Sequence, residues 1–153
     1  MKTLEGNHGG RGKNIAILVS RFNDFITKDL LDGCLQELNR LGVSKTNITV
    51  AWVPGSFELP VAALKFAKKK SVDAVICLGA VIRGDTYHFE MVAQGATQGI
   101  TQTSILTGKP VIFGVLTTDT LEQAYKRCGK KGENKGIDAA VTAVEMINLL
   151  KKI

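Results

Sequence analysis

The segment Arg83-Gly84-Asp85-Thr86-Tyr87-His88 brings several residue types able to do chemistry together at the end of an apolar run. An uncharged apolar run, Ile76 to Ile82, leads into it, and a polar–apolar pattern of helical period begins near His88. That succession predicts a strand, a turn and a helix start. A helix start presents free backbone N–H groups and a partial positive charge, so Asp85-Thr86 is a candidate anion seat. An imidazole within a turn of it can take and give protons near neutral pH. The alternatives are an ordinary helix cap at Asp85-Thr86 and a structural histidine at His88. His8, the other histidine, reads as a solvated tail residue.

Other candidates lie further along the chain. Phe22 directly follows an apolar run, where its ring can be a shelf for a planar ligand or simply pack. Glu58 opens a helical pattern, a place where a carboxylate complements the helix dipole without any further role. Arg127 with Lys130, Lys131 and Lys135 offers cations to a phosphate, the arginine bidentately, or forms a solvated helix end. No phosphate-binding loop ending in Gly-Lys-Ser/Thr occurs, nor a Gly-x-Gly-x-x-Gly after the first strand. Metal-ligand spacing among His, Cys and carboxylates is missing, and so is a Gly-x-Ser-x-Gly nucleophile turn.

The elements that must position these residues follow from periodicity. Residues 1–13, rich in glycine, form an expected flexible arm that orders only against something else. Strands are predicted over Asn14 to Ser20, Ile48 to Val53, Ala74 to Ile82 and Pro110 to Thr117, read as buried on both faces. Helices are predicted over Phe25 to Leu41 with Asn23 or Asp24 as cap and Gly42 as stop, over Ser56 to Lys69, over Met91 to Gly108, from Leu121, and over Ile137 to Leu150. Thr120 with Gln123 is a capping-box pattern. Strands alternating with helices predict an α/β fold, a flavodoxin-like three-layer sandwich with a four-stranded parallel sheet and helices on both faces. Ligands in such sheets sit outside the carboxyl ends of the strands. Residues 21–23, 54–58, 83–88 and 117–120 all follow strand ends, so one mouth would gather a ring, a carboxylate, an anion seat and an imidazole.

Composition narrows the class. A chain of 153 residues with 44% apolar content suits one domain, residues 14–153, with a sizeable core. The N-terminal residues carry charge and glycine where a secretion signal has an apolar centre, and no run is long enough to cross a bilayer, so the expected location is cytoplasmic. Cys34, Cys77 and Cys128 are odd in number and far apart, and read as packing residues. The formal charge of +6 favours anionic partners without choosing among nucleic acid, membrane and phosphorylated small molecules. From Met91 to Gly108 no residue is charged, whereas a solvated helix would carry Lys and Glu on its outer stripe. Self-association is the economical way to cover it.

Several separated motifs, in order, resemble the 6,7-dimethyl-8-ribityllumazine synthases. They are Ser20-Arg21-Phe22-Asn23, Val53 to Pro60, Leu78 to Thr86 with His88-Phe89, Phe113 to Thr117, Glu122-Gln123-Ala124 with Arg127, and Asn134-Lys135-Gly136. The resemblance runs from about Asn14 to Leu149. It implies condensation of 5-amino-6-(D-ribitylamino)uracil with 3,4-dihydroxy-2-butanone 4-phosphate, releasing phosphate and water, without metal or organic cofactor. By the same resemblance Phe22 stacks on the pyrimidine, Ser56, Phe57 and Glu58 hold the ribityl chain and ring edge, and Ala80, Val81 and Ile82 line the pyrimidine pocket. Asp85, Thr86 and Arg127 bind phosphate, His88 transfers protons, and Phe113 closes the pocket from a neighbouring subunit. The family implies a homo-oligomer, a pentamer and in some members an icosahedral shell of twelve pentamers, with riboflavin synthase as a candidate partner. Two mild departures are Ser56 and Glu133, the latter standing where a small residue is commoner, at a place that influences pentamer packing.

Two readings from other classes compete. A flavin-binding or carrier module on the same fold would use Phe22 and the loops without turnover. A basic shell protein packaging nucleic acid would need an aromatic-interleaved basic stripe, which the sequence lacks.

Overall fold

The apolar runs that alternate with helical patterns form a parallel sheet, because each strand is returned to the same end by a helix crossing one of its faces. The computed structural model describes residues 1–129 and 133–153. Strands β1 (Ile15–Ser20), β2 (Ile48–Val53), β3 (Ala74–Ile82) and β4 (Val111–Thr118) pair in the order β2-β1-β3-β4, all parallel. Between them run helices α1 (Asp24–Arg40), α2 (Leu59–Ala67) and α3 (His88–Thr107), followed after β4 by α4 (Leu121–Lys126) and α5 (Lys135–Leu150). This is the flavodoxin-like α/β sandwich that the sequence predicts.

Side chains alternate across a strand, so each central strand feeds two cores. Ile15, Ile17 and Val19 with Ile76 and Leu78 meet Ile26, Leu30, Cys34 and Leu38 of α1 and Ala140, Val144 and Ile147 of α5. Ala16, Leu18, Val75 and Cys77 meet Leu59 and Ala63 of α2 and Ile100 of α3 on the other face. Truncating fully buried Leu78 to alanine would cost about 2–5 kcal/mol. Helices α1 and α5 approach so closely that a Cβ on Gly136 would lie 1.9 Å from the Leu30 carbonyl oxygen. That position admits no other residue without moving a helix.

Three sequence expectations need correcting. Strands β2 and β4 are not buried on both faces: they are the two sheet edges, and Thr49, Val50 and Trp52 of β2, the last at 40%, and Phe113 and Thr117 of β4 are exposed. The helix expected over Ser56 to Lys69 begins as a 3-10 turn, Ser56–Glu58, and becomes α-helical only at Leu59, with Pro60 in its first turn. Asp85-Thr86 does not cap α3; Tyr87 occupies the cap position and offers no side-chain bond. The capping box on α4 is present as read, with the Gln123 amide N–H donating to Thr120 Oγ1 at 3.1 Å and Gln123 Oε1 accepting from the Thr120 amide at 3.3 Å.

The amino-terminal residues lie along α5. Asn148 Nδ2 donates to the carbonyl oxygens of Asn7 and Gly9, Lys152 Nζ donates to the Glu5 carbonyl, and His8 Nε2 stands 3.4 Å from Glu145 Oε2. All three cysteines are free and buried, and burial pushes the Cys34 and Cys77 thiols up to about 12. No helix among the described residues is long and apolar enough to cross a membrane.

Candidate active site

Hydrogen bonding past the ends of β1 and β2 sets up the site. The Arg21 and Phe22 amides donate to the Val53 and Pro54 carbonyl oxygens at 2.8 and 3.0 Å, which continues the parallel pairing into the loops. Phe22 is thereby held beside residues 54–58 with 72% of its surface exposed, too much for a packing role and suited to a shelf. The next residue, Asn23, takes a left-handed conformation at φ 61° and opens α1 as its N-cap. Its side chain ignores that helix and donates from Nδ2 to the Ala80 carbonyl at 2.8 Å. The β1 exit is thus fastened to the end of β3.

The 3-10 turn buries Ser56 and leaves Phe57 exposed. The Phe57 ring rests on α3 at Gly95, where an added Cβ would come within 2.5 Å of a ring carbon. Glycine there lets the ring approach the helix closely. From β3, Ala80, Val81 and Ile82 contribute a wall, and His88 begins α3, its amide donating to Thr86 Oγ1 at a long 3.4 Å.

Together these residues enclose a cavity of about 680 Å³ lined by Phe22, Pro54, Gly55, Ser56, Phe57, Glu58, Ala80, Val81, Ile82, Gly84, Thr86, His88, Phe89, Met91 and Val92. A volume of that size holds a substrate-sized molecule. One imidazole, one carboxylate and two hydroxyls converge on a mostly apolar chamber, which suits a planar heterocycle with a polar side arm and a proton-transfer step. Met91 and Val92 are lining residues that the sequence reading does not assign to the site, although their spacing of three and four from His88 puts them on its helix face.

Three expected site residues lie elsewhere. Phe113 and Arg127 line a second cavity, of about 610 Å³, along the outer edge of β4 with Lys135 and Asp138. Arg127 Nη1 donates to the Gln123 carbonyl at 2.9 Å, and Lys135 Nζ bridges Glu133 at 2.7 Å and Asp138 at 3.0 Å, which raises the lysine's pKa. Asp85 is exposed and lines neither cavity. Lys130 and Lys131 lie outside the described residues. Among the described residues no three His, Cys, Asp or Glu side chains are grouped to hold a metal ion.

The sheet order and the cavity at the carboxyl ends of β1, β2 and β3 agree with one comparison. A family model described as 6,7-dimethyl-8-ribityllumazine synthase matches residues 12–151, nearly the whole chain. The match takes in every residue that lines either cavity. The protein therefore belongs to the 6,7-dimethyl-8-ribityllumazine synthase family, transferases of riboflavin biosynthesis.

Proposed function

We propose that this chain condenses 5-amino-6-(D-ribitylamino)uracil with 3,4-dihydroxy-2-butanone 4-phosphate to give 6,7-dimethyl-8-ribityllumazine, phosphate and water. The observation that carries the reading is the single cavity that brings Phe22, Ser56, Phe57, Glu58, Ala80, Val81, Ile82, Thr86 and His88 together in a member of this family. The Phe22 ring takes the pyrimidine face, Ser56 to Glu58 hold the ribityl chain and ring edge, and the backbone of Ala80 to Ile82 lines the pocket.

The arylamine attacks the ketone and an imine forms with loss of water. The carbinol carbon next to the imine loses its proton as phosphate leaves from the terminal carbon beyond it, the resulting enol becomes a methyl ketone, and the ribitylamino nitrogen closes the ring on it with loss of a second water. Alignment of two reactants accounts for much of the acceleration, since orientation is worth about 7–11 kcal/mol. His88 relays protons between these steps, and cations stabilise the departing phosphate. No cofactor takes part in this scheme.

The site is completed by a neighbouring subunit. Phe113 and Arg127 lie on the β4 edge, away from the cavity of their own chain, which supports a second copy presenting them to it. Thr86, with Asp85 beside it, would then share the phosphate with the neighbour's cation. The exposed, uncharged flank of α3, with Ile105 at 76% and Leu106 at 77% exposure, supports a pentamer around that helix. Twelve pentamers in a shell, with riboflavin synthase as a guest, extend the same reading. Three free cysteines suit a reducing cytoplasm. Residues 14–153 act as one catalytic domain and 1–13 as its arm.

The test is to mix the two substrates with the protein and follow lumazine fluorescence, alongside the particle mass in solution. Product formation no faster than the uncatalysed reaction would sink the enzymatic reading. A monomer in solution would sink the shared site.

A further inference from the structure

Every residue from Arg83 to His88 is exposed, and α3 starts without a side-chain cap. The Thr86 hydroxyl reaches the His88 amide only at 3.4 Å, the weak end of a hydrogen bond. A helix start held so loosely is a poor mount for a proton-transfer group, which works only within hydrogen-bond reach of its substrate. The nearby side chain that compensates is Arg83. Its backbone N–H donates to the Thr118 carbonyl at 2.9 Å, which anchors it to the β4 end. Its Nε donates to Asp119 Oδ1 at 2.8 Å, just before α4, and its Nη1 donates to Glu90 Oε1 in the first turn of α3. The guanidinium also lies over the Phe89 ring, 4.4 Å from the centroid, and Phe89 lines the same cavity as His88. Glu90 Oε2 is buried without a partner among the described residues, so Arg83 supplies that carboxylate's one side-chain bond.

We propose that Arg83 is a positioning residue for His88: its planar fork ties the first turn of α3 to the β4–α4 turn and so fixes where the imidazole stands in the cavity. Phe89 and Glu90, the two residues after His88, are the ones it grips, and a helical turn moves as a unit. Arginine is needed because two donors in one rigid plane must reach two carboxylates on different elements, which a lysine ammonium on a flexible stem does not reproduce. The direction of the Glu90 pKa agrees, since the Arg83 hydrogen bond holds its carboxyl below the ordinary range. The assignment rests on the proposed role of His88, and the test separates the two.

The assembled protein is compared with Arg83→Gln, Arg83→Lys and the milder Asp119→Asn, each alone and Arg83→Gln also in a His88→Ala background. Arg83→Gln is expected to lower kcat about tenfold while both KM values hold, as a misplaced catalytic group does. Arg83→Lys recovers only part of that loss, and Asp119→Asn shows the same change in smaller measure. In the His88→Ala background Arg83→Gln has no further effect. Hydrogen exchange supplies a readout independent of turnover: peptides within 84–92 exchange faster in Arg83→Gln, and those from β1 and α5 do not. Multiplicative losses with His88→Ala, or unchanged exchange over 84–92, would overturn the assignment. A wild-type protein that forms no lumazine would remove the functional reading while leaving the exchange result to decide whether the clamp exists.

Discussion

Asn23 donates from Nδ2 to the carbonyl oxygen of Ala80 at 2.8 Å, across 57 positions of sequence and from a left-handed backbone. The bond joins the loop that carries Phe22 to the end of β3, and Phe22 and Ala80 both line the cavity. One side chain thus ties the Phe22 loop to β3 beyond the last backbone pair of β1 and β3, Val19 with Leu78.

Asn23→Ala should destabilise the fold by about 1–2 kcal/mol, because it loses the hydrogen bond and places a Cβ without local bonding in the left-handed region. Asn23→Gly should cost less, since glycine accepts a positive φ. Both should lower kcat/KM alike, because both release the Ala80 wall. Denaturant midpoints and kinetics on the two variants check this, and a glycine variant as active as wild type would show the bond to be idle.

His88→Ala should lower kcat by about 10²–10⁴-fold with assembly intact, the usual scale for a lost acid–base group. Arg127→Ala should mainly raise the KM of the phosphate substrate. If Arg127 serves the neighbouring subunit's cavity, co-assembling the two variants will regenerate some sites with both residues and, at limiting phosphate substrate, raise activity above the average of the two parents. Mixed oligomers with only that average activity would mean that each chain uses its own Arg127.

Gly136→Ala should destabilise by about 1–3 kcal/mol or more, as overpacking does. The helix-propensity gain of about 1 kcal/mol for replacing glycine does not offset it, because the atom met is the Leu30 backbone oxygen rather than a side-chain end. Thermal unfolding of the variant measures the balance.

Glu37 is buried in α1, and its carboxylate accepts from Arg40 Nε at 2.9 Å and Nη2 at 2.5 Å. Those bonds hold its pKa below the ordinary range, with the nearby His8 adding to the effect when charged. A depressed carboxylate contributes stability above its unfolded pKa, about 4.3, and loses it as pH falls through the lower folded value. Melting temperatures should therefore fall more steeply into acid for wild type than for Glu37→Gln, with the two converging at the acid end. Parallel curves would show that the pair contributes nothing.

Much of this architecture was legible one segment at a time. The uncharged runs around Ile17 and Ile76, the helical spacing of Ile26, Leu30 and Leu38, and the Thr120–Gln123 box are local patterns, each read from neighbours within a turn or a strand. Site residues that follow strand ends were legible too, because parallel topology brings those ends to one side. The edge position of β2 was not, since Ile48 to Val53 has the same apolar run whether or not a second strand covers it.

The sequence by itself determined the periods, the turns and hence the α/β class, along with the ordered motifs that mark the family. Tertiary structure alone decided the pairings: Asn23 with Ala80, Arg83 with both Glu90 and Asp119, and Phe113 with Arg127 along the β4 edge rather than in the cavity that holds His88. The reason is physical. Local bonding and side-chain period depend on residues a few positions apart, whereas a side chain's partner depends on which distant segment the sheet order and helix packing bring within 3 Å.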